Sequence, residues 1–345
     1  MSAQSYPGLA ESIDHLMAVE FRRSGQTVSS GVIDPLYHAA RDLMGAPLAW
    51  SAASALLEAA ASGTVYIVTG HVHPVALPVG ETDGPLGAVS LARAVVALTG
   101  ARVVLLCEEV VAEVMRVVSV AAGLNVREPD ELPLPRSVAV MPFPTDVEEA
   151  RALASELIQG ASAVVAVEKI GPCEGGGYRT GSGSRVDESL AKADLLFDLA
   201  AKKGVLTIGI GDLGNEMGMG KIASAVREIV KTGPTIASLV ATDHLIVAGC
   251  SNWGAYAIVA AAAAQANRTD VLHTGEDERY MLEAACAAGC VDGFSTGPTM
   301  EVDGAGVRTH MAFADLLADI VRIGLDTRTP DRHVIERSLR EREAQ

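Results

Sequence analysis

"VLTIGIGDLGNEMGMGKIASAVREIV" (residues 205–230) runs from an apolar, strand-like segment through a glycine-rich polar loop into a helix-like segment. The same texture recurs in both directions along the chain. Apolar runs at 64–70, 101–108, 137–143, 162–168, 205–211 and 244–249 alternate with helical segments near 86–99, 109–122, 146–159, 187–203, 219–231 and 253–266. Short Val/Ile/Leu runs that alternate with helices are the mark of βαβ units, so the expected fold is a three-layer α/β/α arrangement on a mainly parallel sheet. Before Gly63 the texture is different. Residues 9–63 read as helices broken by Gly and Pro, an N-terminal helical lead-in. The expected organisation is a helical segment 1–63 packed on the main domain, an α/β catalytic domain 64–326 and a C-terminal tail 327–345.

Composition narrows the function. Of 345 residues, 49% are hydrophobic but only 4% aromatic, so Ala, Val, Leu and Gly must fill the interior. A net charge of −16 argues against nucleic acid, whose phosphates need clustered Lys and Arg. Five cysteines without metal-finger spacing, and no basic and apolar leader, favour a reduced, cytoplasmic setting. The uncharged stretch Leu245 to Asn267 is long enough to span a membrane, but Gly249, Ser251, Asn252 and Gly254 interrupt it. Strand, turn and buried helix are the expected reading, with no membrane partner. Whether the chain forms a homo-oligomer is left open.

In parallel sheets ligands gather beyond the carboxyl ends of the strands. Four polar loops fall there: "GHVHP...ETDGPLGA", "EKIGPCEGGGYRTGSGS", "GDLGNEMGMGK" and "GCSNWG". Their convergence predicts an active site. The 209–222 loop is not a P-loop, because Ile222 follows Lys221 where Ser or Thr is required, and it carries carboxylates where a pyrophosphate would want none. No nucleotide cofactor is expected. Its glycines would let the backbone approach a ligand, with Asp212, Asn215 and Glu216 supplying polar groups and Lys221 facing either ligand or solvent. Oxygen-rich loops suit Mn²⁺ or Mg²⁺, and Glu81, Asp83, Asp212 and Glu216 are the candidate ligands. Asp83 is equally readable as a helix N-cap. His71 and His73 share a side of an extended segment and form a weaker metal pair. Glu168 ends an apolar strand beside Lys169, as an acid/base group or one half of an ion pair. The following segment, with Tyr178, Arg179 and Arg185, is either a mobile connection or a lid that brings cations to an anion. No serine-hydrolase elbow occurs at a strand-to-helix turn.

Taken together, "GETDGPLGAVSLARAV", "VAVEKIG...GGYR", "GIGDLGNEMGMGKI" and "ATDHLIVAGCSNWGAYA" resemble, in this order, the D-glutamate cyclase-like family, from about Gly63 to about Ile323. The resemblance implies conversion of D-glutamate to 5-oxo-D-proline with loss of water. It carries over Glu81, Asp83 and Gly84, then Glu168, then Asp212, Gly214, Asn215, Glu216, Gly218, Met219 and Gly220, and finally Asp243, Ser251, Asn252 and Trp253. The chain departs from the family pattern in the lid, where Lys169 stands for Arg and "GGGY" for an Asn-containing segment. Lysine lacks the planar fork that grips a carboxylate at two points, so the substrate is expected to be glutamate or a close relative, an amino acid or dicarboxylate. On this reading Glu168, Asp212, Glu216 and Lys221 are catalytic, and Asp83, Gly84, Lys169, Tyr178, Arg179, Asn215, Ser251, Asn252 and Trp253 bind substrate. A hydrolase that opens a lactam, or a non-catalytic amino-acid or metal binder, are the alternatives.

Overall fold

The computed structural model describes residues 6–21, 30–174, 176–326 and 340–342. The strands are β1 (Thr64–Val68), β2 (Arg102–Cys107), β3 (Asn125–Arg127), β4 (Ser137–Pro142), β5 (Ala161–Val167), β6 (Leu206–Gly211), β7 (His244–Val247), β8 (Glu301–Val302) and β9 (Ala305–Gly306). The helices are α1 (Pro7–Met17), α2 (Ile33–Met44), α3 (Leu48–Ala60), α4 (Pro85–Thr99), α5 (Ala112–Ala121), α6 (Val147–Leu157), α7 (Asp194–Lys203), α8 (Ala223–Ile229), α9 (Gly233–Ile236), α10 (Ser251–Ala266), α11 (Gly275–Ala287) and α12 (Val307–Leu325).

Seven strands form one sheet in the order β3-β4-β2-β1-β5-β6-β7, and every neighbouring pair is parallel. Period-two alternation sends Val65 and Ile67 of β1 to one face and Tyr66 and Val68 to the other, and β2 and β5 divide their residues likewise. Both faces are apolar, so helices must cover both. The larger core lies under α1–α5 and α8–α12, and the smaller under α6 and α7. This is the expected three-layer α/β/α fold with a helical lead-in. α1 and α3 pack on α10, and α2 and α3 pack on β7. The tail 327–345 lies outside the described residues except for 340–342.

The uncharged stretch resolves into β7, a turn and α10, whose residues Ser251–Ala264 are all buried. Among the described residues no single helix is long and apolar enough to cross a membrane, although the bent pair α2–α3 passes that test jointly. Two helices are shorter than expected. Residues 187–193 stay non-helical, because the Ala191 and Lys192 amides donate to Glu108 Oε1 and Pro144 O rather than to a preceding turn. The helix expected at 219–231 contracts to a 3₁₀ turn (Gly220–Ile222) and α8.

That contraction explains the glycines of the 205–222 stretch. After β6 the chain doubles back along its own strand, with the Met217 amide donating to Lys169 O and the Gly218 amide to Val240 O. A Cβ on Gly209 would lie 2.3 Å from Met217 O and 2.5 Å from Gly218 Cα. The missing side chains therefore make room for the loop against the sheet, rather than for a ligand against the loop.

Candidate active site

The chain leaves β1 toward β2 on one side and returns to β5 on the other, so the crevice beyond the carboxyl ends of β1 and β5 is the topological switch point. The long loop after β1 brings His71, Glu81 and Asp83 there, and β5 ends directly in Glu168. Glu168 adopts φ +48°, a left-handed conformation uncommon for a residue with a side chain and frequent where a site demands a particular side-chain direction.

The floor of the crevice is a reciprocal cap. Asp83, just ahead of α4, accepts the amides of Ser251 (2.8 Å) and Asn252 (2.7 Å) at the start of α10. Asn252 returns the favour: its Oδ1 accepts the amides of Gly84 (2.9 Å) and Gly87 (2.7 Å) at the start of α4. Each helix satisfies the other's orphan donors. A Cβ on Gly87 would lie 2.9 Å from Asn252 Cα, so the close approach of the two helix ends requires glycine there.

Over this floor stand the carboxylates. One oxygen each from Asp83, Glu168 and Asp212 lie within 4.8 Å of one another, and His71, Glu81 and Glu168 form a second such group. Ser251 Oγ donates to Glu168 Oε2 (2.6 Å), and His71 Nδ1 meets Glu81 Oε1 at 2.5 Å. All six residues are buried. Burial, then the charges of Asp212, Glu216 and Asp83, push the Glu168 carboxyl well above the usual carboxylate range. Burial, then Asp303 and Asp212, do the same to Asp83, despite the amides it accepts. Glu81 is raised by burial against the opposing pull of His71. Burial disfavours the His71 imidazolium, but the adjoining Glu81 carboxylate overrides it and raises that pKa.

Several expected site residues are occupied elsewhere. The Glu216 carboxylate accepts the amides of Asp212 (3.4 Å), Leu213 (3.1 Å) and Gly214 (2.7 Å), so it braces its own loop, and Glu168 takes its place beside Asp83 and Asp212. Lys221 is carried by the doubled-back loop to the amino edge of the sheet, where Nζ donates to Thr242 O (2.9 Å) and Asp243 O (3.1 Å). Asp243 lies on that edge too, accepting from the Thr207 amide and hydroxyl (both 2.8 Å). Trp253 turns into an aromatic cluster: it stacks on Phe313 at 3.8 Å, and its Nε1 donates to His310 Nδ1 (3.0 Å). Lys169 is fully buried in an ion pair with Glu108 and donates to Gly70 O (2.9 Å), so it is no lid cation. His73 caps a turn through Nδ1, which accepts the Val75 and Ala76 amides (3.3 and 3.2 Å), and it is not in the groups of ligating atoms around Glu168.

The segment after Glu168 is a folded strap. Tyr178 Oη donates to Asp194 (2.5 Å), Arg185 pairs with Asp187 (3.0 Å), and Asn215 Nδ2 donates to Arg179 O (3.1 Å), linking the strap to the loop of Asp212.

Sequence reasoning passed over Glu108 and Asp303. Glu108 directly follows β2, and the carboxyl-edge rule that singles out Glu168 applies to it equally. Asp303 sits at the tip of the β8–β9 hairpin with φ +52° followed by Gly304 at +75°, the pair of left-handed residues that a tight Asp-Gly hairpin turn uses. The hairpin docks on the site through Thr82 Oγ1, which donates to Glu301 O (2.8 Å).

Residues 32–318 match the family model described as D-glutamate cyclase-like, C-terminal. The match begins earlier than the motifs alone suggested and takes in α2 and α3. A 100-residue stretch is 42% identical to mitochondrial D-glutamate cyclase of Homo sapiens, covering 28% of this chain and 16% of that protein.

Proposed function

The chain belongs to the D-glutamate cyclase-like family, and from that premise we propose that it closes D-glutamate, or a close relative, to 5-oxo-D-proline and water. The observation that carries the reading is Glu168. It stands at the meeting point of both carboxylate groups, in a left-handed conformation, with a raised proton affinity and a serine hydroxyl orienting it.

Ring closure forms a bond from the amino nitrogen to the side-chain carboxyl carbon and breaks one bond from that carbon to oxygen. Two protons leave the ammonium group, and the departing oxygen collects two as it becomes water. The reaction is therefore proton-neutral, and one carboxyl group that twice takes a proton from nitrogen and returns it to oxygen closes the balance. Glu168 suits this, because a carboxylate with a raised pKa is the better base. Folding the substrate back on itself makes the attack intramolecular, a large part of the acceleration.

The residues present fit a divalent cation. Asp83 and Asp212 would hold Mg²⁺ or Mn²⁺ with hard oxygen donors, leaving the neighbouring Glu168 to carry protons. Bound there, such an ion supplies positive charge for the carboxylate under attack. With Lys169 paired to Glu108 and both helix ends capped from within, that charge does not come from them. Arg179 on the strap is the candidate for the second carboxylate of the substrate.

The test is incubation of the purified protein with D-glutamate, L-glutamate and 5-oxoproline, with and without Mn²⁺, followed by product mass and chirality. A product lighter by one water from D-glutamate, lost in Glu168→Gln, is expected. Turnover of cyclic amides alone would make it a hydrolase. Tight binding of these ligands without turnover would make it a binder.

A further inference from the structure

Glu168 and Lys169 are neighbours in the chain whose side chains serve different ends. Glu168 stands in the crevice with Ser251 Oγ on its carboxylate, whereas Lys169 is fully buried. Its Nζ donates to Gly70 O (2.9 Å), just beyond β1, and pairs with Glu108, which directly follows β2. The same Glu108 oxygen accepts the Ala191 amide (2.9 Å) from the segment leading into α7. One ion pair therefore ties the carboxyl ends of β1, β2 and β5 to one another and to the chain ahead of α7. Gly70 makes room for it: at φ +108°, a Cβ there would lie 2.2 Å from Glu108 Oε2.

A buried ion pair adds little net stability, because taking two charges out of water offsets most of their attraction. What this pair supplies is a fixed geometry. Glu168 holds φ +48°, a conformation that persists in a residue with a side chain only where its surroundings impose it. On one side the Glu168 amide donates to Ile210 O (3.2 Å) on β6. On the other, Lys169 is held twice, by its side chain as described and by its carbonyl, which accepts the Met217 amide (2.7 Å). Between these anchors the backbone of Glu168 has little freedom, and its carboxylate is delivered to Ser251 Oγ at 2.6 Å.

We infer that the Lys169–Glu108 pair positions Glu168 for the reaction, acting through the backbone and without touching substrate. This role rests on the reading of Glu168 as the acid/base group and adds two residues that keep it in place. Positioning of this kind matters because a displacement of about 1 Å at a reacting group can cost about a hundredfold in rate.

The test uses the full-length chain with Glu108→Gln and Lys169→Met together, which removes both charges at nearly constant shape and leaves neither one buried alone. Thermal melting shows that the variant is folded. With D-glutamate, kcat is expected to fall about 10–100-fold while KM stays within about twofold. Adding Ser251→Ala separates positioning from mere support of the fold. In the unaltered background that change should cost about tenfold, and in the paired variant about twofold, because Glu168 no longer meets the serine. An unchanged kcat in the folded variant, or a full tenfold cost of Ser251→Ala within it, overturns the inference. If the paired variant does not fold, Glu108→Gln alone goes through the same cycle, with losses of the same direction expected and the same two outcomes decisive. The crystal structure of whichever variant folds gives a reading independent of turnover: Glu168 is expected to leave Ser251, and retention of both its left-handed φ and that hydrogen bond overturns the inference. No turnover in the unaltered protein would end the cyclisation reading alone, and the variant's structure would then judge the pair.

Discussion

Asp14 and Asp83 perform the same local task in two regions of the molecule, and only one of them belongs to a site. Asp14, on α1, accepts the amides of Leu48 (2.5 Å) and Ala49 (3.0 Å) at the start of α3. Asp83 accepts those of Ser251 and Asn252 at the start of α10. Both are buried, both cap a helix from outside it, and burial is the first cause that raises the pKa of each. What differs is the company. Asp14 has Arg41 and Glu11 among its charged neighbours and Tyr37 Oη at 3.4 Å, whereas Asp83 faces Asp303, Asp212 and Glu81 and shares a ligating group with Glu168. A capping aspartate is therefore no sign of function in itself. Accumulated negative charge around it is.

The largest expected effect tests that contrast on activity. Asp83→Asn keeps one acceptor for the α10 amides and removes the charge, so turnover should fall at least about a hundredfold while the protein stays folded. Asp14→Asn should leave turnover within about twofold. Equal losses in kcat/KM for the two variants would break the comparison.

The second effect is on stability and belongs to Asp14. Its pKa is raised from 3.8 to about 6 by burial, so between those values the folded protein holds the proton that the unfolded chain releases. The stabilisation is complete below about pH 4 and is lost as pH rises through 6, a change of up to about 3 kcal/mol at 1.36 kcal/mol per unit. The difference in urea midpoint between Asp14→Asn and the unaltered protein should therefore shift in favour of the variant from pH 4 to pH 7. A difference independent of pH would mean that Asp14 is charged throughout.

The smallest effect concerns the hydroxyl beside each carboxylate. Ser251→Ala removes the 2.6 Å hydrogen bond to Glu168 and should slow turnover about tenfold, with its pH profile displaced upward because the carboxylate loses a donor. Tyr37→Phe removes the longer contact to Asp14 and should leave kcat and KM unchanged. A pH profile of Ser251→Ala superimposable on that of the unaltered protein would separate the serine from the chemistry.

The same contrast shows what can be read in a sequence. The strands were legible because apolar runs repeat between helices, and Asp83, Glu168 and Asp212 were legible because each follows such a run or opens the next helix. In a parallel sheet those positions converge. The glycine-rich loop misled in direction. Nothing in its letters says that it folds back on β6, so Lys221, ten residues after the strand, looks close to the site and lies on the opposite edge. Glu216 looked like a ligand because its acceptors are plain in the sequence while the three amides it serves are not. Trp253 is bound to His310, 57 residues on, a pairing set by packing alone. Asp303 needed the hairpin's docking on Thr82 to acquire any meaning.

The reciprocal cap has an evolutionary consequence. Asp83 and Asn252 lie 169 positions apart and each holds the helix that the other begins. A change at one leaves a buried amide of the opposite helix unserved and also removes the reason for the other's identity. Selection therefore sees the two as a single inherited character. In diverging descendants they should be exchanged together, and when the floor of the crevice is lost, both should be released at once.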